Sequence, residues 1–128
     1  MSQIGEEYVR KLTVARLATV AANGRPHCVP VCFALDGQRV LIMTAPESKK
    51  ARNIRATGVA AVVLDDGQAI RGVMIEGAAG FIEDENAFNE AQDAMLAAGA
   101  LSRRRHYGEQ VIVEVACERW VEWGLDEA

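Results

Sequence analysis

Alternating apolar and polar positions along the first third of the chain predict short antiparallel strands. Leu17 to Ala21 is strand-like and runs into Asn23-Gly24, a pair that favours a tight hairpin turn. A return strand from about Pro26 to Leu35 follows, and Asp36-Gly37 turns the chain into a strand from Arg39 to Thr44. Two hairpins in succession predict an antiparallel meander. One face of the return strand carries His27, Val29, Val31, Phe33 and Leu35.

Three further strands are predicted in the rest of the chain. Val59 to Leu64 is rich in valine and alanine, and Ile70 to Ile82 supplies a longer strand. Gly77 and Gly80 interrupt that longer strand and predict a bulge or bend there. The last strand is expected from Gln110 to about Trp123, which brings the predicted total to six.

Helix signals occur at three points. Ser2 is placed to cap a helix through about Leu12, Ser48 to cap a second, and Asp84 to cap a third from about Glu85 to Ala98. Many short antiparallel strands with peripheral helices predict an α+β fold built on a small barrel. We detect no linker or repeat, so a single domain over residues 1–128 is expected.

Composition narrows the function classes. The chain has 128 residues, a formal net charge of -4 and a pI near 5.2, so the basic footprint of a general nucleic-acid binder is missing. Neither an apolar run long enough to span a membrane nor a signal peptide is predicted, and a cytoplasmic location is the default expectation.

Residues Ser48 to Arg55 stand out because they contain four cations and no acid in an acidic chain. A helix that begins just after Ser48 would direct free backbone N–H groups and its positive dipole end at an anion. Lys49 and Lys50 would add charge-assisted hydrogen bonds. The octet is therefore interpreted as a phosphate site, and the alternative is a solvated basic helix face.

Pro30 is unusual inside a predicted strand because proline cannot donate to the hydrogen-bond ladder. It is expected at a sheet edge, at a bulge or where a ligand approaches the backbone. Since its strand is expected beside the strand that leads into the basic octet, one ligand could use both features. Such a ligand would have a flat ring over Val29 to Val31 and an anionic tail at Ser48.

Cys28, Cys32 and Cys117 are expected to be reduced and to act as small buried hydrophobes. Cys28 and Cys32 lie about 13 Å apart along a regular strand, too far for a disulfide. The spacing of His27 and His106 from the cysteines does not favour zinc.

Four segments together resemble the flavin-binding split β-barrel family related to pyridoxamine 5'-phosphate oxidase, including its deazaflavin-dependent branch. They are Arg16 to His27, Val29 to Gly37, Thr44 to Arg55 and Val73 to Gly77. The resemblance implies a six-stranded antiparallel Greek-key split barrel with two or three peripheral helices.

The resemblance also assigns a cofactor site. Hydroxyl donors and cations around the start of the basic helix match the positions that hold the FMN phosphate, and one strand backbone matches the strand along the isoalloxazine ring. Asn53, in the same helix turn, is a further candidate. The implied cofactor-binding residues are Cys28, Val29, Pro30, Thr44, Ser48, Lys49, Lys50 and Asn53.

Family members are homodimers with the cofactor between the subunits, so residues near Arg71 to Val73 and Trp120 or Trp123 are expected to contribute from the partner. Plain packing is the alternative for the tryptophans. Vitamin B6 oxidation is not implied, because the Arg/His substrate motif of the true oxidases is not matched.

The predicted function is an FMN-binding oxidoreductase that transfers hydride between flavin and a small organic substrate. A deazaflavin-dependent reductase and a non-catalytic flavin-binding or electron-carrying module are the alternatives, followed by a haem binder or a cofactor-free dimer. No motif assigns a catalytic residue. His27 could donate a proton near the ring, but a hydrogen-bonded core histidine is the favoured interpretation.

Overall fold

The computed structural model describes residues 1–125, which form a curled antiparallel sheet of eight strands with three helices. This architecture confirms the predicted mostly β fold class. The helices are α1 (Gln3–Arg10), α2 (Lys49–Thr57) and α3 (Glu85–Ala97). The strands are β1 (Val14–Val20), β2 (Pro26–Cys32), β3 (Ala34–Asp36), β4 (Arg39–Thr44), β5 (Val59–Leu64), β6 (Gly72–Phe81), β7 (Val111–Ala116) and β8 (Arg119–Trp123).

The sheet has two halves that share β6. Strands follow the order β2-β1-β5-β6-β7-β4-β3, and β8 also pairs with β6. The first part of β6, Gly72 to Glu76, pairs with β8, and its last part, Ala79 to Phe81, pairs with β7. Strands that are distant in sequence, such as β1 and β5 or β4 and β7, are therefore neighbours in space.

The six predicted strands become eight because two of them change partners. The segment Pro26 to Leu35 divides at Phe33, after which β3 pairs with β4 while β2 pairs with β1. Burial stops alternating there, since Ala34 packs beneath α3 while Phe33 and Leu35 face the main core. The predicted last strand divides likewise into β7 and β8.

All three predicted helix caps are confirmed. Ser2 Oγ accepts a hydrogen bond from the Gly5 N–H at 2.9 Å, and Asp84 Oδ2 accepts one from the Ala87 N–H at 2.8 Å. Helix α2 begins after Ser48 and ends at Gly58, whose φ of 71° is the left-handed conformation that glycine adopts readily.

Two apolar clusters stabilise the fold. The main cluster fills the barrel, and the second joins α3 to the outer side of β3, β4 and β7. None of the helices in residues 1–125 is long and apolar enough to cross a membrane. Fully buried members include Leu17, Ile42, Val62, Ile75 and Val113 in the main cluster, and Leu41, Phe88, Met95 and Ile112 in the second.

Gly77 allows the chain to cross closely where β6 changes partners. A Cβ atom at this position would lie 2.0 Å from the carbonyl oxygen of Ala116, at the end of β7. A backbone oxygen cannot move aside as the end of a flexible side chain can, so position 77 requires glycine. A Cβ at Gly80 would meet no atom within 4 Å, so only one of the two glycines marks a close approach.

We expect Gly77→Ala to reduce the free energy of unfolding by about 1–3 kcal/mol or more, because the added methyl group overlaps a backbone oxygen. Gly80→Ala is the matched control and should stay within about 0.5 kcal/mol of wild type. Urea unfolding monitored by circular dichroism measures both. Equal losses in the two variants would contradict the crossing as the reason for Gly77.

Candidate functional site

The N-terminus of α2 lies beside the end of β4, and Ser48 joins the two elements. Its Oγ accepts hydrogen bonds from the Ala51 N–H at 3.2 Å and from the Thr44 hydroxyl at 3.1 Å. A serine hydroxyl offers two acceptor lone pairs and one proton. With Ser48 as the acceptor of both bonds, its own proton would be available to a ligand.

Backbone donors converge at the same point. The Ser48 N–H is bonded to the Ala45 carbonyl oxygen at 3.2 Å, and the Ala51 N–H is taken by the cap. For the N–H groups of Lys49 and Lys50, residues 1–125 supply no acceptor. The Lys49 side chain is exposed and Lys50 is half-buried, so ammonium groups and free N–H groups share one helix end. That donor set suits a phosphate.

Thr44 stands behind this donor set. It is only 6% exposed, and its hydroxyl proton is directed at Ser48. Thr44 is thus hydrogen-bonded to Ser48, and the direct contact with a phosphate that the resemblance implies stays a prediction.

Asn53 anchors α2 to the sheet. The side chain is 4% exposed, and its Nδ2 donates to the Thr19 hydroxyl at 3.0 Å. Thr19 is itself 2% exposed and lies on the inward face of β1. Sequence reasoning missed Thr19, although a hydroxyl at a core-facing position of an apolar strand signals a buried polar partner.

The basic octet does not form a single cationic patch. Arg55 lies in the last turn of α2, where its guanidinium carbon is 4.9 Å from the centre of the Phe81 ring. Only Lys49 and Lys50 belong to the first turn. Arg55 therefore serves the far end of the helix, and the candidate phosphate site depends on the lysines.

Strand β2 is the edge of its half of the sheet, as Pro30 predicted. Within residues 1–125, β2 pairs only with β1. Hydrogen bonds from the Phe33 N–H to the Thr13 oxygen and from the Ala21 N–H to the Arg25 oxygen show that odd-numbered residues bond to β1 here. The peptide groups of Cys28 and Pro30 therefore point to the free edge, where the missing N–H of proline costs nothing.

The strand that carries Pro30 does not pair with the strand that leads into the octet, which corrects one expectation. Strand β3 makes that pairing, while Cα atoms of β2 only come within 8 Å of β4. Helix α2 and β2 instead flank β1, because Asn53 contacts Thr19 and Thr19 pairs with His27. The structure thus gathers Thr44, Ser48, Lys49 and Lys50 at one helix end and places Cys28, Val29 and Pro30 across β1.

His27 is half-buried on the inward face of β2. Its Nδ1 is buried and finds no hydrogen-bond partner among residues 1–125. The favoured interpretation of a hydrogen-bonded core histidine is therefore wrong for this nitrogen.

The prediction that all three cysteines are buried is also wrong. Cys28 and Cys32 are exposed free thiols on the outward face of β2, together with Pro30. Cys117 is half-buried, and burial raises the pKa of its thiol.

Residues expected to act from a partner subunit lie far from β2 in this chain. Trp120 and Trp123 are on β8, which flanks β6 at the opposite edge of that half of the sheet, about 19 Å from β2 along the sheet. Arg71 forms an ion pair with Asp66 at 2.8 Å. A backbone hydrogen bond from Gln68, together with that pair, lowers the pKa of Asp66.

The split barrel with a basic helix start defines a class of protein, and comparison with known proteins identifies it. This chain belongs to the pyridoxamine 5'-phosphate oxidase family, whose model matches residues 3–124. The 5a,11a-dehydrotetracycline/5a,11a-dehydrooxytetracycline reductase of Streptomyces rimosus is 33% identical over 128 residues, covering 93% of this chain and 80% of the reductase.

Two solved structures share the fold. A conserved hypothetical protein from Mycobacterium tuberculosis has a TM-score of 0.80 and 23% identity, covering 96% of this chain and 84% of that one. A protein described as an F420 reductase has a TM-score of 0.75 and 18% identity, covering 94% of this chain and 98% of that one. The family and the split-barrel fold predicted from sequence are thereby confirmed.

We expect Ser48→Ala to lower the free energy of unfolding of the cofactor-free protein by about 0.5–2 kcal/mol, because the Ala51 N–H loses its cap. Ser48→Thr keeps a hydroxyl at the cap and should lose much less. Thermal or urea unfolding measures both variants, and a Ser48→Ala protein as stable as wild type would show that the cap is dispensable.

Proposed function

We propose that this protein is an oxidoreductase that binds FMN or a deazaflavin coenzyme and acts on a small organic substrate by hydride transfer. The observation behind the proposal is that two lysines, their backbone N–H groups and the Ser48 hydroxyl occupy the first turn of α2. Membership of the pyridoxamine 5'-phosphate oxidase family and the resemblance to a named reductase support it.

The residues of this site fit a phosphate monoester. Ser48, Lys49 and Lys50 would hold its oxygens, with Thr44 fixing the Ser48 hydroxyl and Asn53 fixing the helix. A dianion at a helix N-terminus is favoured by the dipole as well as by the lysine charges. FMN presents such a monoester, and a deazaflavin coenzyme presents phosphate oxygens in a diester.

The free edge of β2 fits the ring. A flavin ring has one edge on which carbonyl, N–H and carbonyl groups alternate, and a deazaflavin ring keeps this edge. The peptide groups of Cys28 and Pro30 offer a donor and acceptors that face away from β1. Backbone groups are well suited to this task because substitution of the side chains leaves them in place.

When bound, the cofactor supplies the hydride chemistry, and the chain has to position it and leave one ring face open. The resemblance to the Streptomyces reductase favours an enzyme over a carrier. Because an F420 reductase shares the fold, the deazaflavin coenzyme should be tested beside FMN. Turnover with a reductant and a panel of conjugated ketones would establish an enzyme, and binding without turnover of any substrate would favour the carrier.

A cytoplasmic location fits the three free thiols.

We expect Lys50→Ala to weaken binding of the preferred cofactor by roughly 1.5–3 kcal/mol, the range for a charge-assisted hydrogen bond. Arg55→Ala is the matched control because it removes one cation from the same helix at its far end. Fluorescence titration of the cofactor-stripped variants with FMN and with the deazaflavin coenzyme measures both effects.

Equal weakening in the two variants would indicate general attraction to a basic helix and remove Lys50 from the phosphate site. Binding of neither cofactor by wild type would overturn the proposed function and favour a haem binder or a cofactor-free dimer.

We further propose that the protein is a homodimer with the cofactor between subunits. The outward face of β2, β1, β5 and β6 is largely apolar, and Val14, Val20 and Val59 are 50%, 38% and 49% exposed on it. Arg16 and Glu76 are its charged members in these four strands. A second copy seated on this face would cover the valines and the thiols of Cys28 and Cys32.

The dimer would also complete the site. Trp120 and Trp123 lie across the sheet from Cys28 and Pro30, so a single chain does not join them. A partner related by two-fold symmetry could bring its own β8 to the edge of β2. The cofactor groove would then be formed by both subunits.

We expect Ala18→Lys to convert the dimer into a monomer, because Ala18 lies mid-face between Cys28 on β2 and Ala61 on β5. Ala97→Lys, on the exposed end of α3, is the control. Light scattering after gel filtration should give twice 13.9 kDa for wild type and control and 13.9 kDa for Ala18→Lys. A wild-type protein that is monomeric at micromolar concentration contradicts the proposal.

A further inference from the structure

A second polar cleft lies between α3 and the arginine-rich segment that follows it, away from α2 and β2. We call this the arginine cleft. Its volume is about 620 Å³, within the range of small-molecule sites. One wall is a face of α3, and the other is formed by residues 104–107. Its lining includes Glu85, Asn89, Gln92, Arg104, Arg105 and His106.

The arginine-rich segment is held against the helix by specific contacts. The Arg105 N–H donates to Gln92 Oε1, and Arg104 forms an ion pair with Asp93. Tyr107 donates to the Glu83 carbonyl oxygen, and its ring packs edge-on against Phe88 at 5.4 Å. The wall is thus fixed without using every donor that it contains.

Two donors at this cleft have no acceptor. Gln92 is 1% exposed, its Oε1 is engaged, and its Nε2 is buried without a partner among residues 1–125. Arg105 Nη1 is likewise buried and unpartnered in the described part of the chain. Buried donors are normally hydrogen-bonded, because an unpaired buried donor has lost its hydrogen bond to water without gaining another. The amide of Gln92 and the guanidinium of Arg105 line the same cleft, and both require an oxygen acceptor.

Charge indicates which kind of acceptor. Asp93 offsets Arg104, but no carboxylate within residues 1–125 lies within 4 Å of Arg105. Glu85 is the acid among the residues that line the cleft, and Asn89 lies one turn after it on α3. A planar guanidinium without an ion-pair partner matches the two oxygens of a carboxylate or phosphate.

We propose that the arginine cleft binds the anionic oxygen group of a small molecule, a carboxylate or a phosphate, between Gln92 and Arg105. This site is separate from the proposed cofactor site and does not depend on it. The cleft is large enough for an organic body beyond the anion, with Asn89 and His106 as its polar contacts.

The test uses the full-length, isotope-labelled protein titrated with inorganic phosphate and, separately, with succinate. Nuclear magnetic resonance follows the Gln92 side-chain amide and the Arg105 backbone amide, so binding here is distinguished from phosphate binding at Lys49 and Lys50. We expect saturable shifts of both signals with at least one anion. Saturation by phosphate alone identifies a phosphate site, and saturation by succinate alone identifies a carboxylate site.

Arg105→Gln should weaken this binding at least tenfold. Arg103→Gln makes the same charge change in the same segment at an exposed residue that does not line the cleft, and binding should stay within about threefold of wild type. Gln92→Glu should abolish anion binding and raise the melting temperature, because its carboxylate would pair with Arg105. Unsaturable shifts, or equal losses in the two arginine variants, would overturn the proposal.

Discussion

A buried hydrogen bond between Asn53 and Thr19 fixes where α2 sits on the barrel. Both side chains are almost fully buried, so each amide or hydroxyl group needs the other to remain satisfied. With the helix held on β1, Ser48 reaches the end of β4. There the hydrogen bond from Thr44 orients the Ser48 hydroxyl. The two lysines of the first turn are thereby held beside β1, the strand that pairs with β2.

The second constraint is the free edge of β2. Proline at position 30 is tolerated only because odd-numbered residues bond to β1, and the same arrangement leaves peptide groups open at the edge. The strand β2 with its free edge and the helix α2 thus both contact β1. The proposed two-subunit groove would add β8 of a second copy to them and would cover the apolar outward face.

Local signals in the sequence predicted much of this arrangement. Ser48 and Asp84 marked helix starts because capping involves only neighbouring residues, and Pro30 marked an edge because its missing N–H is an intrinsic property. Effects of distant residues were not predictable: Phe33 ends β2 because the chain changes sheet there, and Arg55 turns to Phe81. The burial of Cys28 and Cys32 was predicted wrongly because alternation divides a strand into two faces but does not indicate which face is buried. Pro30 predicted the free edge of β2, and the lysine site stays a prediction. The signal of Thr19, a hydroxyl on an apolar strand, was missed, whereas Gln92 and Arg105 had no local signal.

The proposed function requires the start of α2 to hold the phosphate of a flavin-type cofactor. Comparison of FMN with riboflavin, the same ring without the phosphate, tests it most directly by titration of the cofactor-stripped protein. Two or more charge-assisted hydrogen bonds predict that FMN binds roughly 100-fold tighter or more, and that the deazaflavin coenzyme shows the same dependence on its phosphate. Equal affinity for FMN and riboflavin would show that the start of α2 does not bind the phosphate.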